Sequence, residues 1–167
     1  VPPRITSPMC LRDHPVHREQ RAHNGTDISW GRNVEGKRIL APYEGTVVYT
    51  NRTRPVDELG DAGYYLVIYH GESESGNSVY TRYLHLQENS IRLNAGNKVE
   101  TGQYIGKVGK TGLGTGPHLH YEIRLNMQEP FWNPTGNAIP AFVYQPGRLG
   151  SPETPSGDSS ISPGVSY

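Results

Sequence analysis

Apolar positions along this chain come in short runs, broken by glycine, proline or small polar residues, and the spacing of an amphipathic helix is hard to find. The pattern predicts short strands joined by tight turns. Arg38-Ile39-Leu40-Ala41 reads as a short strand ended by Pro42, and Glu44 to Thr50 as a β-branched and aromatic strand. Tyr64 to His70 is an almost unbroken apolar run, expected to be central and buried. The glycine-bounded polar turn Gly71 to Asn77 then leads to a strand at Ser78 to Leu86, which makes a hairpin. Residues 98–109 hold two short β segments separated by glycine turns, and His118 to Arg124 alternates as a further strand. Residues 1–36 and 51–63 read as loop and turn. Beyond Gly147 large apolar residues almost vanish, so residues 1–146 are expected to form one domain and 147–167 a Ser/Pro/Gly-rich flexible tail.

Composition narrows the function. With 16 Lys and Arg against 16 Asp and Glu, the formal net charge is zero. Nucleic-acid binding, which needs clustered cations, is therefore not expected, and nothing draws the chain electrostatically to an anionic surface. No run approaches the roughly 20 apolar residues of a membrane span. The lone Cys10 cannot close an internal disulfide. A chain opening on Val1 with no signal peptide is expected to be a mature form or an excised domain. Nothing demands more than a monomer.

Four of the seven histidines sit in arrangements that can carry chemistry. His118 and His120 are two apart on a strand and share a face, after the glycine-rich turn Gly112 to Pro117. His23 and Asp27 are four apart around Asn24-Gly25, a sequence that favours a loop leading into a strand. His85 lies between Leu84 and Leu86, which on a regular strand face away from it. Alone, each has an ordinary structural explanation. Together, His23, Asp27 and one histidine of the 118/120 pair make the three-ligand set of a catalytic zinc site, leaving the other histidine and His85 for proton transfer and charge stabilisation. His14, His17 and His70 have weaker claims.

In order along residues 5–125, the motifs resemble the lysostaphin/LytM family of zinc metallopeptidases. They are Ile5-Thr6-Ser7-Pro8, Arg12 to Val16, Arg21 to Ile28, Ala41 to Val47, Tyr83-Leu84-His85-Leu86 and Gly112 to Glu122. The resemblance implies a mainly β fold, an antiparallel β-sheet of the sandwich-like LytM (duplicated hybrid motif) kind with a loop-walled groove. It implies Zn²⁺ held by His23, Asp27 and His120, with His85 and His118 as the catalytic histidines. It implies peptidoglycan stem peptides or cross-bridges as substrate and an extracytoplasmic setting: periplasm, cell wall, secretion or a phage lysin. Met9-Cys10 departs from the aromatic–glycine pair usual in the family. The polar Glu72–Asn77 turn and the 51–63 loop are individual features, expected to bear on substrate choice. Tyr121 or Glu122 is placed to orient a ligand.

Rival readings are weaker. A Cys10 nucleophile would sit in a proline-flanked loop and leave the histidine pairs unexplained. Lys110-Thr111-Gly112 lacks the Ser-x-x-Lys partner of penicillin-binding enzymes, and Gly109-Lys110-Thr111 has Tyr104 where a phosphate loop needs glycine. A non-catalytic domain that binds or activates another wall hydrolase remains the alternative, and a carbohydrate-binding or carrier β-domain would leave the histidine geometry accidental.

Overall fold

A computed structural model describes residues 4–13, 20–30, 34–53, 62–114, 116–131 and 136–141. The expected tail at 147–167, most of the 51–63 loop, His14 and His17 lie outside these residues. The strands are β1 (Arg4–Ser7), β2 (Cys10–Asp13), β3 (Gln20–His23), β4 (Thr26–Ser29), β5 (Arg38–Leu40) and β6 (Gly45–Asn51). They continue as β7 (Tyr64–Glu72), β8 (Ser78–Leu86), β9 (Lys98–Val99), β10 (Tyr104–Lys107), β11 (Leu119–Leu125) and β12 (Asn137–Ile139). Among the described residues no helix is long and apolar enough to cross a membrane.

An eight-stranded sheet runs β1-β4-β11-β8-β7-β6-β9, and β12 shares with β4 the same edge of β11. The pairs are antiparallel, and β5–β10 and β2–β3 form two small ladders beside the sheet. The mainly antiparallel β fold expected from the sequence is the fold observed. The apolar run in β7 splits by alternation onto both faces. Tyr64, Leu66 and Ile68 enter one core with Val47, Leu86 and Ile105, while Tyr65 and Val67 enter a second with Tyr80, Leu84 and Met127. Burial of each such aliphatic or Met side chain contributes about 1.5–3 kcal/mol.

Two expectations are corrected. Residues 1–36 are not all loop, because β1 to β4 lie there. These strands are short and polar, so no local pattern marks them, and β4 exists because β11 pairs with it from more than ninety residues away. Leu84 and Leu86 also do not face the same way. Tyr64 pairs with Leu86 but Leu66 pairs with Tyr83, so Leu84 and His85 together oppose Tyr65. This is a β-bulge, and His85 takes it up in the left-handed region at φ 61°. Leu84 consequently enters one core and Leu86 the other, and the His85 ring is re-aimed.

Candidate metal centre

The site forms where β3, β4 and β11 meet. Asp27 on β4 and His120 on β11 are direct cross-strand partners, so their side chains rise from the same face. His23 closes β3, one tight turn before β4. That turn needs Gly25 for a specific reason. A Cβ there would lie 2.5 Å from His120 Nε2 and 2.7 Å from the Tyr121 carbonyl oxygen. Only a hydrogen atom at that position lets the imidazole lie across the turn.

The three side chains converge on one point. His120 Nδ1 lies 2.8 Å from Asp27 Oδ1, His23 Nε2 lies 3.1 Å from the same oxygen, and the two nitrogens are 3.2 Å apart. For His23 the outer ring nitrogen settles the tautomer, whereas His120 faces a carboxylate oxygen with each of its ring nitrogens. His23 Nδ1–H donates to the Pro8 carbonyl at 2.8 Å, and a carbonyl can only accept. His120 Nε2–H donates to Glu122 Oε1 at 3.1 Å. Burial alone would raise the Glu122 carboxyl, but Arg82, His120 and Arg124 outweigh it and hold it well below the usual carboxylate range. Glu122 therefore accepts and does not donate.

With each imidazole carrying a single proton, on the nitrogen away from Asp27, three acceptors meet with no donor among them. A cation at their centre would satisfy all three. Burial lowers the proton affinity of His120, yet hydrogen bonds and charge from Asp27 and Glu122 raise it above the ordinary histidine value. Asp27 is held far below the usual range by His120 and His23, against the opposing effect of its own burial. A proton can fill the centre, and a divalent metal would displace it. Two ligands of a tetrahedral zinc, each about 2.0–2.1 Å from the metal, lie about 3.4 Å apart, close to the observed triangle. The donor set of one carboxylate oxygen and two imidazole nitrogens fits such an ion.

Two further histidines border this triangle. His118 Nδ1–H donates to the Gly116 carbonyl at 2.8 Å, and its Nε2 lies 3.6 Å from Asp27 Oδ1. His85 Nδ1–H donates to the Thr111 carbonyl at 2.8 Å. The His85 ring centroid is 4.8 Å from that of His118 and 5.9 Å from that of His120. In each, Nε2 is the ring nitrogen not committed to a main-chain carbonyl. Burial, and then the charges of His118 and His120, push His85 down to about 4, so it stays neutral at neutral pH.

The fold therefore gathers His23, Asp27, His85, His118 and His120 into one cluster. His70 lies elsewhere: its Nδ1–H donates to the Glu44 carbonyl at 2.7 Å and its Nε2 lies 2.7 Å from Thr81 Oγ1. Cys10 is free and exposed. It pairs with His23 along the β2–β3 ladder, but both His23 ring nitrogens are engaged elsewhere, which leaves the thiol no base there. Of the two orienting candidates Glu122 contacts His120, whereas Tyr121 points to the opposite face and packs on the first core. Gly25, Thr111 and the arginines on Glu122 were not singled out in the sequence. One signal was available for the last of these, namely charges at every second position, His120, Glu122 and Arg124, along a strand otherwise apolar.

Comparison with known proteins gives this geometry a family. The chain is 44% identical over 112 residues to the peptidoglycan DD-endopeptidase ShyA of Vibrio cholerae, covering 67% of this chain and 22% of that protein. It is 36% identical over 137 residues to the DD-carboxypeptidase/endopeptidase Mpg of Neisseria meningitidis, covering 82% of this chain and 27% of that one. The chain thus spans about a quarter of the length of these curated relatives. A zinc-containing peptidase from Vibrio cholerae superposes with a TM-score of 0.63 at 31% identity, over 85% of this chain and 36% of that chain. The catalytic domain of lysostaphin from Staphylococcus simulans shares the fold at a TM-score of 0.58 and 21% identity, over 75% of this chain and 83% of that one. Residues 21–132, from β3 through β11 and so the whole histidine cluster, match the family model described as Peptidase family M23, and the chain belongs to that family.

Proposed function

We propose that residues 1–146 form a zinc metalloendopeptidase domain that hydrolyses peptide bonds in peptidoglycan stem peptides or cross-bridges, outside the cytoplasm. His23, Asp27 and His120 hold the metal, and His118 and His85 act on the water. The observation that carries this reading is the convergence of the Asp27 carboxylate with one nitrogen each of His23 and His120, 2.8–3.2 Å apart. ShyA, named a peptidoglycan DD-endopeptidase, supports the substrate class, and Mpg, named a DD-carboxypeptidase/endopeptidase, supports the reaction. Zinc bound there supplies Lewis acidity that polarises a scissile carbonyl and lets water act as a nucleophile near neutral pH.

The chain's own residues do the rest. His118, anchored through Nδ1–H on Gly116, accepts the water proton at Nε2 and returns it to the departing amine. His85 can meet either the nucleophilic water or the developing oxyanion. With Nδ1–H committed to Thr111 and the ring neutral, its Nε2 can only accept, which favours the water. Thr111 fixes this ring through its carbonyl, while its hydroxyl accepts from Tyr64 N–H at 3.0 Å and donates to the Leu86 carbonyl at 2.7 Å.

The test compares the purified protein with His120→Ala, reading metal content by mass spectrometry and the masses of fragments released from purified peptidoglycan. Zinc and peptide-cleaved fragments in the first, and neither in the second, uphold the reading. Zinc without cleavage of any wall type would favour a non-catalytic domain that binds or activates another hydrolase. A chain that binds no zinc would overturn the ligand assignment.

A further inference from the structure

We propose that Glu122, clamped by Arg82 and Arg124, is a positioning residue that sets the tautomer of His120 and thereby makes its Nδ1 available to the metal. The inference rests on the reading of His120 as a ligand.

Glu122 and Arg82 are cross-strand partners on β11 and β8, and Arg124 follows two residues later on the same face. The three are 4%, 3% and 3% exposed. Glu122 Oε2 accepts from Arg82 Nη1 at 2.8 Å and from Arg124 Nε at 2.6 Å. Its other oxygen, Oε1, accepts from His120 Nε2–H at 3.1 Å. Arg124 Nη1 also donates to the Gly136 carbonyl at 3.3 Å, which ties the clamp to the segment leading into β12.

Stability alone is a weak reason for this arrangement. A buried cluster of two guanidiniums and one carboxylate loses much hydration, and well-packed apolar side chains of similar size often serve a fold as well or better. Arg82 even leaves its Nε buried without a partner among the described residues. The clamp does, however, control hydrogen-bond direction. Guanidinium groups only donate, so the position occupied by Oε2 must be an acceptor. The carboxylate then offers a second acceptor, Oε1, to His120. That holds the proton on Nε2, turns the Nδ1 lone pair toward Asp27 and His23, and raises ligand basicity.

An amide of the same shape reverses this outcome. In Glu122→Gln the two arginines retain the side-chain carbonyl, which turns the NH₂ toward His120. His120 Nε2 must then accept, its proton moves to Nδ1, and Nδ1 no longer has a lone pair for metal. Volume and burial are unchanged, so a merely structural role would leave the tautomer alone.

The experiment uses the whole chain, metal-free, at mildly alkaline pH. Long-range ¹H–¹⁵N NMR of the imidazoles reads the His120 tautomer, and competitive chelator titration reads zinc affinity. The expected result for Glu122→Gln is an Nδ1–H tautomer at His120 and zinc affinity lower by roughly 10–100-fold. Retention of the Nε2–H tautomer with affinity within about threefold of the unaltered chain would overturn the proposal. If Glu122→Gln does not fold, the triple variant Arg82→Met/Glu122→Leu/Arg124→Met removes the clamp without burying a lone charge. It is expected to keep its melting temperature and lose the same zinc affinity, and unchanged zinc affinity would overturn the proposal. Failure of the underlying ligand reading is separate: the unaltered chain would bind no zinc, while the NMR tautomer of Glu122→Gln would still decide the role of Glu122.

Discussion

Replacing Gly25 with alanine is expected to damage the metal centre far more than it damages the fold. The added methyl would stand 2.5 Å from His120 Nε2, 2.7 Å from the Tyr121 carbonyl oxygen and 2.8 Å from His120 Cε1. Ordinary contact between such atoms begins roughly 0.9 Å farther out, so the turn, the ring or β11 must move by that order. The Tyr121 carbonyl belongs to the central ladder and yields little, which leaves the His120 ring to shift. Overpacking of this kind costs about 1–3 kcal/mol, offset in part by about 0.4–1 kcal/mol from the stiffer unfolded chain. Metal geometry tolerates only about 0.2 Å, so zinc affinity should fall by about 100-fold or more.

Gly45→Ala provides the control. Its Cβ would meet the Tyr69 carbonyl oxygen at 2.5 Å and Ile68 Cγ2 at 2.6 Å, three strands away from β11. It should destabilise the fold to a similar degree and leave zinc affinity unchanged. The assay is chelator-competition titration of zinc alongside urea denaturation of the metal-free protein. Equal loss of affinity in the two variants, or a Gly25→Ala chain that binds zinc within about tenfold of the unaltered one, would refute the reasoning.

Three further outcomes follow from the same contacts. His85, neutral at neutral pH and held down to about 4 against about 6.5 when unfolded, gives stability that is complete above pH about 6.5 and declines toward pH 4 by up to about 3 kcal/mol. Urea midpoints of the metal-free protein against pH should show that decline, and His85→Gln should flatten it. Thr111→Val removes the hydroxyl between the Tyr64 N–H and the Leu86 carbonyl and should cost about 2–3 kcal/mol by urea denaturation, while Thr111→Ser should cost less than about 1 kcal/mol. Leu86→Ala, at 0% exposure within the first core, should cost about 2–5 kcal/mol in the same measurement without altering zinc affinity.

The sequence alone determined those features that depend on neighbours a few residues away. The β7 run, the 78–86 hairpin strand and the shared face of His118 and His120 follow from two-residue periodicity, because alternation is a property of any extended backbone. The five members of the histidine cluster were legible as well, through the spacing of His23 and Asp27 and the resemblance of ordered motifs. What only the tertiary structure decided depends on distant partners. β1 to β4 carry no apolar rhythm, since their hydrogen bonds come from one another and from β11. The opposite facing of Leu84 and Leu86 arises from a bulge that a strand template does not contain, yet that bulge aims His85. Main-chain carbonyls of Pro8, Thr111 and Gly116 take the Nδ1–H groups of His23, His85 and His118, and the Glu122 carboxylate stands behind His120 Nε2. Residue type states that a histidine can bind a metal. Which of its two nitrogens carries the lone pair is a matter of which acceptor the fold has placed behind it.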